Sequence, residues 1–120
     1  PDMTAPRILF ADYLARTGNR AGATEEYRLA IGLVKSDEAP RSAYFYQAYR
    51  YFMQIGLLDD ALSVMRRAEA LFPADAGIKM TLAETYEKAG IPYRAAEEYR
   101  KVLIMDPGNS TARKKLEAKE

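Results

Sequence analysis

Residues 76–109 read AGIKMTLAETYEKAGIPYRAAEEYRKVLIMDPGN, and the spacing within them decides the fold. Lys79, Leu82, Ala83 and Tyr86 fall at i, i+3, i+4 and i+7, the stripe of an amphipathic helix in which Lys79 is the weak member. Gly90 follows, a residue that adopts the left-handed conformation ending a helix at little cost. Beyond it Ala95, Tyr99 and Val102 fall at i, i+4 and i+7, a second stripe. Pro92 lies in the first turn of that second helix, where no amide hydrogen bond is lost. Pro107 stops the helix and forces an extended link. The stretch is two helices joined at a glycine, and its alanines suit a hairpin, since antiparallel helices approach closely only where side chains are small.

The pattern occurs twice more. Ahead of Pro73, which lies 34 residues before Pro107, stand Phe45, Ala48, Tyr49 and Phe52, then Gly56, then Ala61, Met65 and Ala68. The first copy has Arg7 (again weak), Phe10, Ala11 and Leu14, then Gly18, then Ala23, Tyr27 and Ala30. Asp59 and Asp60 sit in an early helical turn, where negative charge is favoured. A period of this length marks helix hairpins stacked in tandem, and such arrays make extended surfaces rather than reaction pockets. The first copy ends late, at Pro40, which predicts a longer loop or an added turn within residues 34–41. Residues 110–120 carry Ala112 and Leu116 as one narrow stripe in a charged helix, the feature that closes the open end of an array. Glu117 and Glu120 among its lysines argue against a basic tail for nucleic acid.

From about Thr4 to Asn109 the chain resembles the tetratricopeptide repeat (TPR) family, whose signature sets a large residue, Leu-Gly, an aromatic, a small residue, an aromatic and a proline at fixed offsets. Asp106-Pro107-Gly108-Asn109 is similar to the link between such repeats, and Ala95 with Tyr99 to the core of their second helix. The resemblance implies an all-α, right-handed α-solenoid of three repeats, about 4–41, 42–75 and 76–109, with a C-terminal capping helix over 110–120. Together they form a single domain, expected to be a piece of a longer protein. Tyr49 stands where the family has Gly or Ala, which predicts that the helices of the second copy splay or shift.

Composition narrows the function. The 48% apolar and 29% charged residues are an ordinary soluble balance. A net charge of +1 from 18 basic and 17 acidic side chains gives no field for gathering phosphates, which excludes nucleic acid and acidic membranes as partners. No apolar run is long enough to insert into a membrane. The chain has no histidine and no cysteine, so acid–base catalysis near neutrality, thiolate chemistry and the commonest metal ligands are missing. Without cysteine the compartment stays open between cytosol and periplasm. The carboxylate pairs Glu25-Glu26, Asp59-Asp60 and Glu97-Glu98 do not converge, because neighbouring helical residues point about 100° apart; they read as solvated faces or N-terminal charges. The expectation is a non-catalytic module without cofactor or metal.

What the resemblance implies instead is a concave groove lined by the first helix of each repeat. Its positions map to Ala5, Ile8, Asp12 and Ala15, to Ala43, Tyr46, Arg50 and Met53, and to Gly77, Met80, Glu84 and Glu87. Ile8, Tyr46, Met53 and Met80 would form an apolar strip, with methionine suited to adaptable contacts. Asp12, Arg50 and Glu84 would occupy equivalent positions, either neutralising one another or leaving Arg50 to grip a carboxylate or carbonyl. Relatives that bind chaperone tails use a basic and Asn clamp. Here its positions are Ile8, Asp12, Gln47, Gly77 and Thr81, none of them Lys, Arg or Asn, which points to a more apolar partner. In the tyrosine-rich run, Phe45, Tyr49 and Phe52 are expected inside, while Tyr44, Tyr46 and Tyr51 either pack on neighbouring repeats or mark a contact surface. The expected role is a scaffold that binds a protein or peptide partner. The alternatives are a structural module that forms homo-oligomers, and a regulatory segment of a larger enzyme or cell-envelope protein.

Overall fold

A computed structural model describes residues 4–34 and 41–118. Among them are seven helices and no strand: α1 Thr4–Arg16, α2 Arg20–Leu33, α3 Ser42–Gln54, α4 Leu58–Leu71, α5 Ala76–Lys88, α6 Pro92–Met105 and α7 Ser110–Ala118. The extra residues expected between the first two repeats lie outside the described residues. The chain forms two compact units, Pro1–Leu57 and Leu58–Glu120. In the first, α1 packs along α2 and α3 packs on both; in the second, α5 packs on α4 and α6, and α7 on α6.

The three glycines end their helices as the spacing predicts. Gly18, Gly56 and Gly90 have φ of +87°, +80° and +76°. At each, the amide after the glycine reaches back to a carbonyl five residues earlier: Asn19 to Leu14, Leu57 to Phe52 and Ile91 to Tyr86, at 2.8 to 2.9 Å. The glycine's own amide bonds the carbonyl three residues back, so the last carbonyls of each helix are satisfied. Asn19, Asp75 and Asn109 cap the following helices by accepting the amides of Gly22, Ile78 and Ala112. The alanines of the stripes are fully buried: Ala11, Ala23 and Ala30 in the first unit, Ala83 and Ala95 in the second. Ala112 is buried on α7 and Leu116 half-buried, as a helix covering the end of α6 requires.

Four placements depart from the sequence expectation. Phe10, assigned to the first stripe, is 49% exposed: among the described residues the helices that pack on α1 within its unit are α2 and α3, and Phe10 faces away from both. Ile8, assigned to the groove, is buried, since it falls on the side those two helices cover. Tyr51 takes the buried place expected for Tyr49, which is half-buried. Glu98, read as solvated, is buried in the second unit.

Glu98 belongs to a cluster of four charges. Glu69 of α4 accepts from Lys79 Nζ of α5 at 2.9 Å, and Lys101 Nζ of α6 lies 2.9 Å from Glu98 and 3.7 Å from Glu69. The ion pair explains how Lys79 occupies a core stripe at 7% exposure. Burial, and then the hydrogen bond to Glu69, push the Glu98 carboxyl up to about 7. Burial pushes Glu69 up as well, but hydrogen bonds from Glu98 and Lys79 outweigh it and hold that carboxyl below its usual range. The shared proton therefore resides on Glu98. A folded-state value raised above the unfolded one means that the folded chain holds a proton the unfolded chain releases. The contribution of Glu98 is present at low pH and lost as pH rises through about 7. Thermal melts between about pH 6 and about pH 8.5 should show the wild type losing ~1 kcal/mol on this account, or about 4 °C or more, while Glu98→Gln shows no such step.

Candidate functional site

The first unit holds a cleft of about 480 Å³ lined by Asp12, Ala15 and Arg16 of α1, Tyr27 of α2, and Gln47, Arg50, Tyr51 and Gln54 of α3. Helical spacing assembles it. Gln47, Arg50, Tyr51 and Gln54 stand at i, i+3, i+4 and i+7, one face of α3, and Asp12 and Arg16 stand one turn apart on α1.

The tyrosines fix its floor. Tyr27 and Tyr51 stack with ring centroids 4.7 Å apart and planes at 29°, and each meets Phe52 edge-on. The Tyr51 hydroxyl donates to the Arg20 carbonyl at 3.0 Å, which leaves the Thr24 hydroxyl, 2.9 Å away, to donate to Tyr51. These bonds lock α3 to α2. Burial raises the Tyr27 phenol above its ordinary value, and the nearby charge of Asp12 adds to the shift. Tyr27 is thus a neutral residue of the cleft floor at physiological pH.

The charged residues divide into paired and unpaired. Asp12 bonds Arg16 at 2.9 Å across one helical turn. Arg50 is exposed and makes no hydrogen bond or ion pair among the described residues. An exposed guanidinium lining a cleft that also holds two stacked rings and two amide side chains is a donor array suited to carboxylates and backbone carbonyls. Among the described residues no group of three or more acidic residues could hold a metal ion.

Of the groove and clamp positions singled out in the sequence, the cleft brings together Asp12, Ala15, Gln47 and Arg50. Ile8 does not take part. Tyr46 and Met53 are half-buried on α3 outside the cleft lining; on α5 in the second unit, Met80 is half-buried and Glu84 exposed. Glu87 is bonded by the Tyr99 hydroxyl and lies 3.5 Å from Lys115 of α7, so it fastens the capping helix. The sequence reading missed Tyr27 and Tyr51 as cleft residues, having placed one in the core and left the other open.

No protein-family model matches the chain, and no curated protein matches its sequence. Solved structures do match. A crystal structure of MamA superposes with a TM-score of 0.67 at 20% identity, covering 97% of this chain and 66% of that one. The fold is that of tetratricopeptide repeat domains. The Arabidopsis OM64 TPR domain matches with a TM-score of 0.61 at 16% identity, over 96% of this chain and 92% of that one. The first TPR of Spaghetti (RPAP3), bound to the HSP90 peptide SRMEEVD, matches with a TM-score of 0.63 at 14% identity, over 96% and 88%. The chain spans just under two thirds of the MamA chain. Among the described residues no helix is long and apolar enough to cross a membrane.

Two substitutions separate framework from rim in this TPR fold. Tyr51→Phe removes the hydroxyl between Arg20 and Thr24 and should cost about 1 kcal/mol in denaturant unfolding. Arg50→Gln, at an exposed and unpaired position, should leave stability within about 0.5 kcal/mol.

Proposed function

We propose that the protein is a non-catalytic interaction scaffold and that the cleft of its first unit receives an extended, acidic segment of a partner protein. The observation that carries this reading is Arg50: a guanidinium with no ion pair among the described residues, lining the same cleft as Gln47, Gln54 and the Tyr27–Tyr51 stack. A partner carboxylate bonded there would replace water with a charge-assisted hydrogen bond. The aromatic floor offers flat apolar area that needs no rearrangement, because the Tyr51 hydroxyl already holds it. The fold neighbour that carries SRMEEVD supports peptide capture by such a domain. The polar lining redirects the partner from the apolar segment expected from the sequence toward one carrying Asp, Glu or a C-terminal carboxylate.

The test is selection from a displayed library of random twelve-residue peptides on the folded chain, followed by affinity measurement by fluorescence polarisation. Enriched peptides should be rich in carboxylates and should bind Arg50→Glu at least about tenfold more weakly, with the melting temperature of the variant unchanged. Peptides that bind wild type and Arg50→Glu equally well would overturn the reading. So would a failure to enrich any sequence.

A further inference from the structure

The floor of the cleft holds two stacked phenols that treat their hydroxyls differently. Tyr51 uses its hydroxyl fully, donating to the Arg20 carbonyl and accepting from Thr24. Tyr27, 2% exposed and lining the same cleft, makes no side-chain hydrogen bond among the described residues. Its ring would stack on Tyr51 and meet Phe52 edge-on equally well as phenylalanine. The hydroxyl therefore adds nothing to the packing of the unit, and a buried polar group without a protein partner costs free energy unless water or a ligand bonds it. Gln47 and Gln54, two turns apart on the cleft face of α3, are likewise without a side-chain hydrogen bond among the described residues.

What the Tyr27 hydroxyl can take is set by its surroundings. The phenol is neutral, held so by burial and then by the charge of Asp12, and it has one hydrogen to donate. Asp12 acts on this oxygen more strongly than Arg16 or Arg50 does, so a second anion placed there is opposed. A neutral acceptor is not, and every residue of a polypeptide supplies one in its main-chain carbonyl. The anion goes instead to Arg50, which stands between the two glutamines on α3. Their spacing agrees with a peptide ligand. Gln47 and Gln54 stand seven residues apart, about 10 Å of helix. Extended chain covers that length in about three residues. Each glutamine amide carries donors and an acceptor, which match the N–H and C=O groups that an extended segment leaves open.

We propose that the Tyr27 hydroxyl donates to a main-chain carbonyl of the bound segment, so that the cleft selects a polypeptide by its backbone as well as by the carboxylate at Arg50. Gln47 and Gln54 bond further peptide groups of the same stretch. This assignment rests on the cleft being the peptide site and adds to it the class of ligand. That class is an extended chain of at least about three residues, rather than a free carboxylic acid or another small anion. Tyr27 thereby contacts the ligand from α2, although its spacing in the sequence is that of a core residue.

The test uses the tightest twelve-residue peptide selected on the folded chain, with analogues in which one peptide bond at a time is replaced by an ester, a weaker acceptor. Tyr27→Phe should bind the parent peptide about fivefold more weakly. Its melting temperature should equal or exceed that of wild type, because the hydroxyl has no protein partner. One ester analogue should lose affinity for wild type and lose none for Tyr27→Phe, an effect that altered packing does not produce. Equal binding by wild type and Tyr27→Phe, or ester losses that match in the two proteins at every position, would overturn the assignment. So would a lowered melting temperature of Tyr27→Phe, which would give the hydroxyl to the fold. If Arg50→Glu still weakens the same peptide at least about tenfold, the cleft reading stands without the Tyr27 bond. A peptide indifferent to both substitutions, or no enriched peptide at all, would overturn both.

Discussion

The close approach of paired helices at alanine is the constraint on which the rest of the structure depends. Ala11, Ala23 and Ala30 vanish from the surface of the first unit, and Ala83 and Ala95 from that of the second. A larger side chain at any of them would push its helix pair apart, at the cost of overpacking in a close-packed interior. The glycines make the approach geometrically accessible by reversing the chain within one residue and satisfying the freed carbonyls. Together these two small residues set where every other side chain of a hairpin points.

Once the hairpins are fixed, the large residues divide by helical phase. On α3, Phe45, Ala48 and Phe52 go to the core, while Tyr51 turns toward α2 and stacks on Tyr27. Its hydroxyl bonds across to α2 fix the rotation of α3 and so present Gln47, Arg50 and Gln54 to the cleft. The cleft is thus a consequence of packing between repeats. The second unit uses polar chemistry where the first uses rings: Glu69, Lys79 and the protonated Glu98 join three helices in a largely buried polar cluster, with exposed Lys101 at its edge. Such a cluster specifies which neighbours fit more than it adds stability, because desolvation offsets much of the attraction.

The hairpins were legible in the sequence because glycine, proline and alanine act through local rules that need no knowledge of neighbours. The cleft was legible in part, through Asp12 and Arg50, whose offsets place them on facing first helices. Tyr51 was not, since three surplus tyrosines compete on α3 and only contact with α2 selects among them. Ile8 failed for a related reason: an offset fixes a residue's phase on its helix but not how far the adjoining helices extend over it. Glu98 carried a signal that went unused. It stands eight residues after Gly90, as Val64 stands after Gly56, and Val64 is a core residue. A carboxylate at a register position filled elsewhere by valine is an inward-facing one.

The central claim is that the working part is a prebuilt cleft with one uncommitted cation. A crystal structure of the chain with a peptide selected for binding tests it most directly. The account predicts the peptide seated over the Tyr27–Tyr51 stack with a carboxylate bonded to the Arg50 guanidinium and both rings unmoved. A peptide bound elsewhere, or a cleft whose tyrosines part to admit it, would contradict the account.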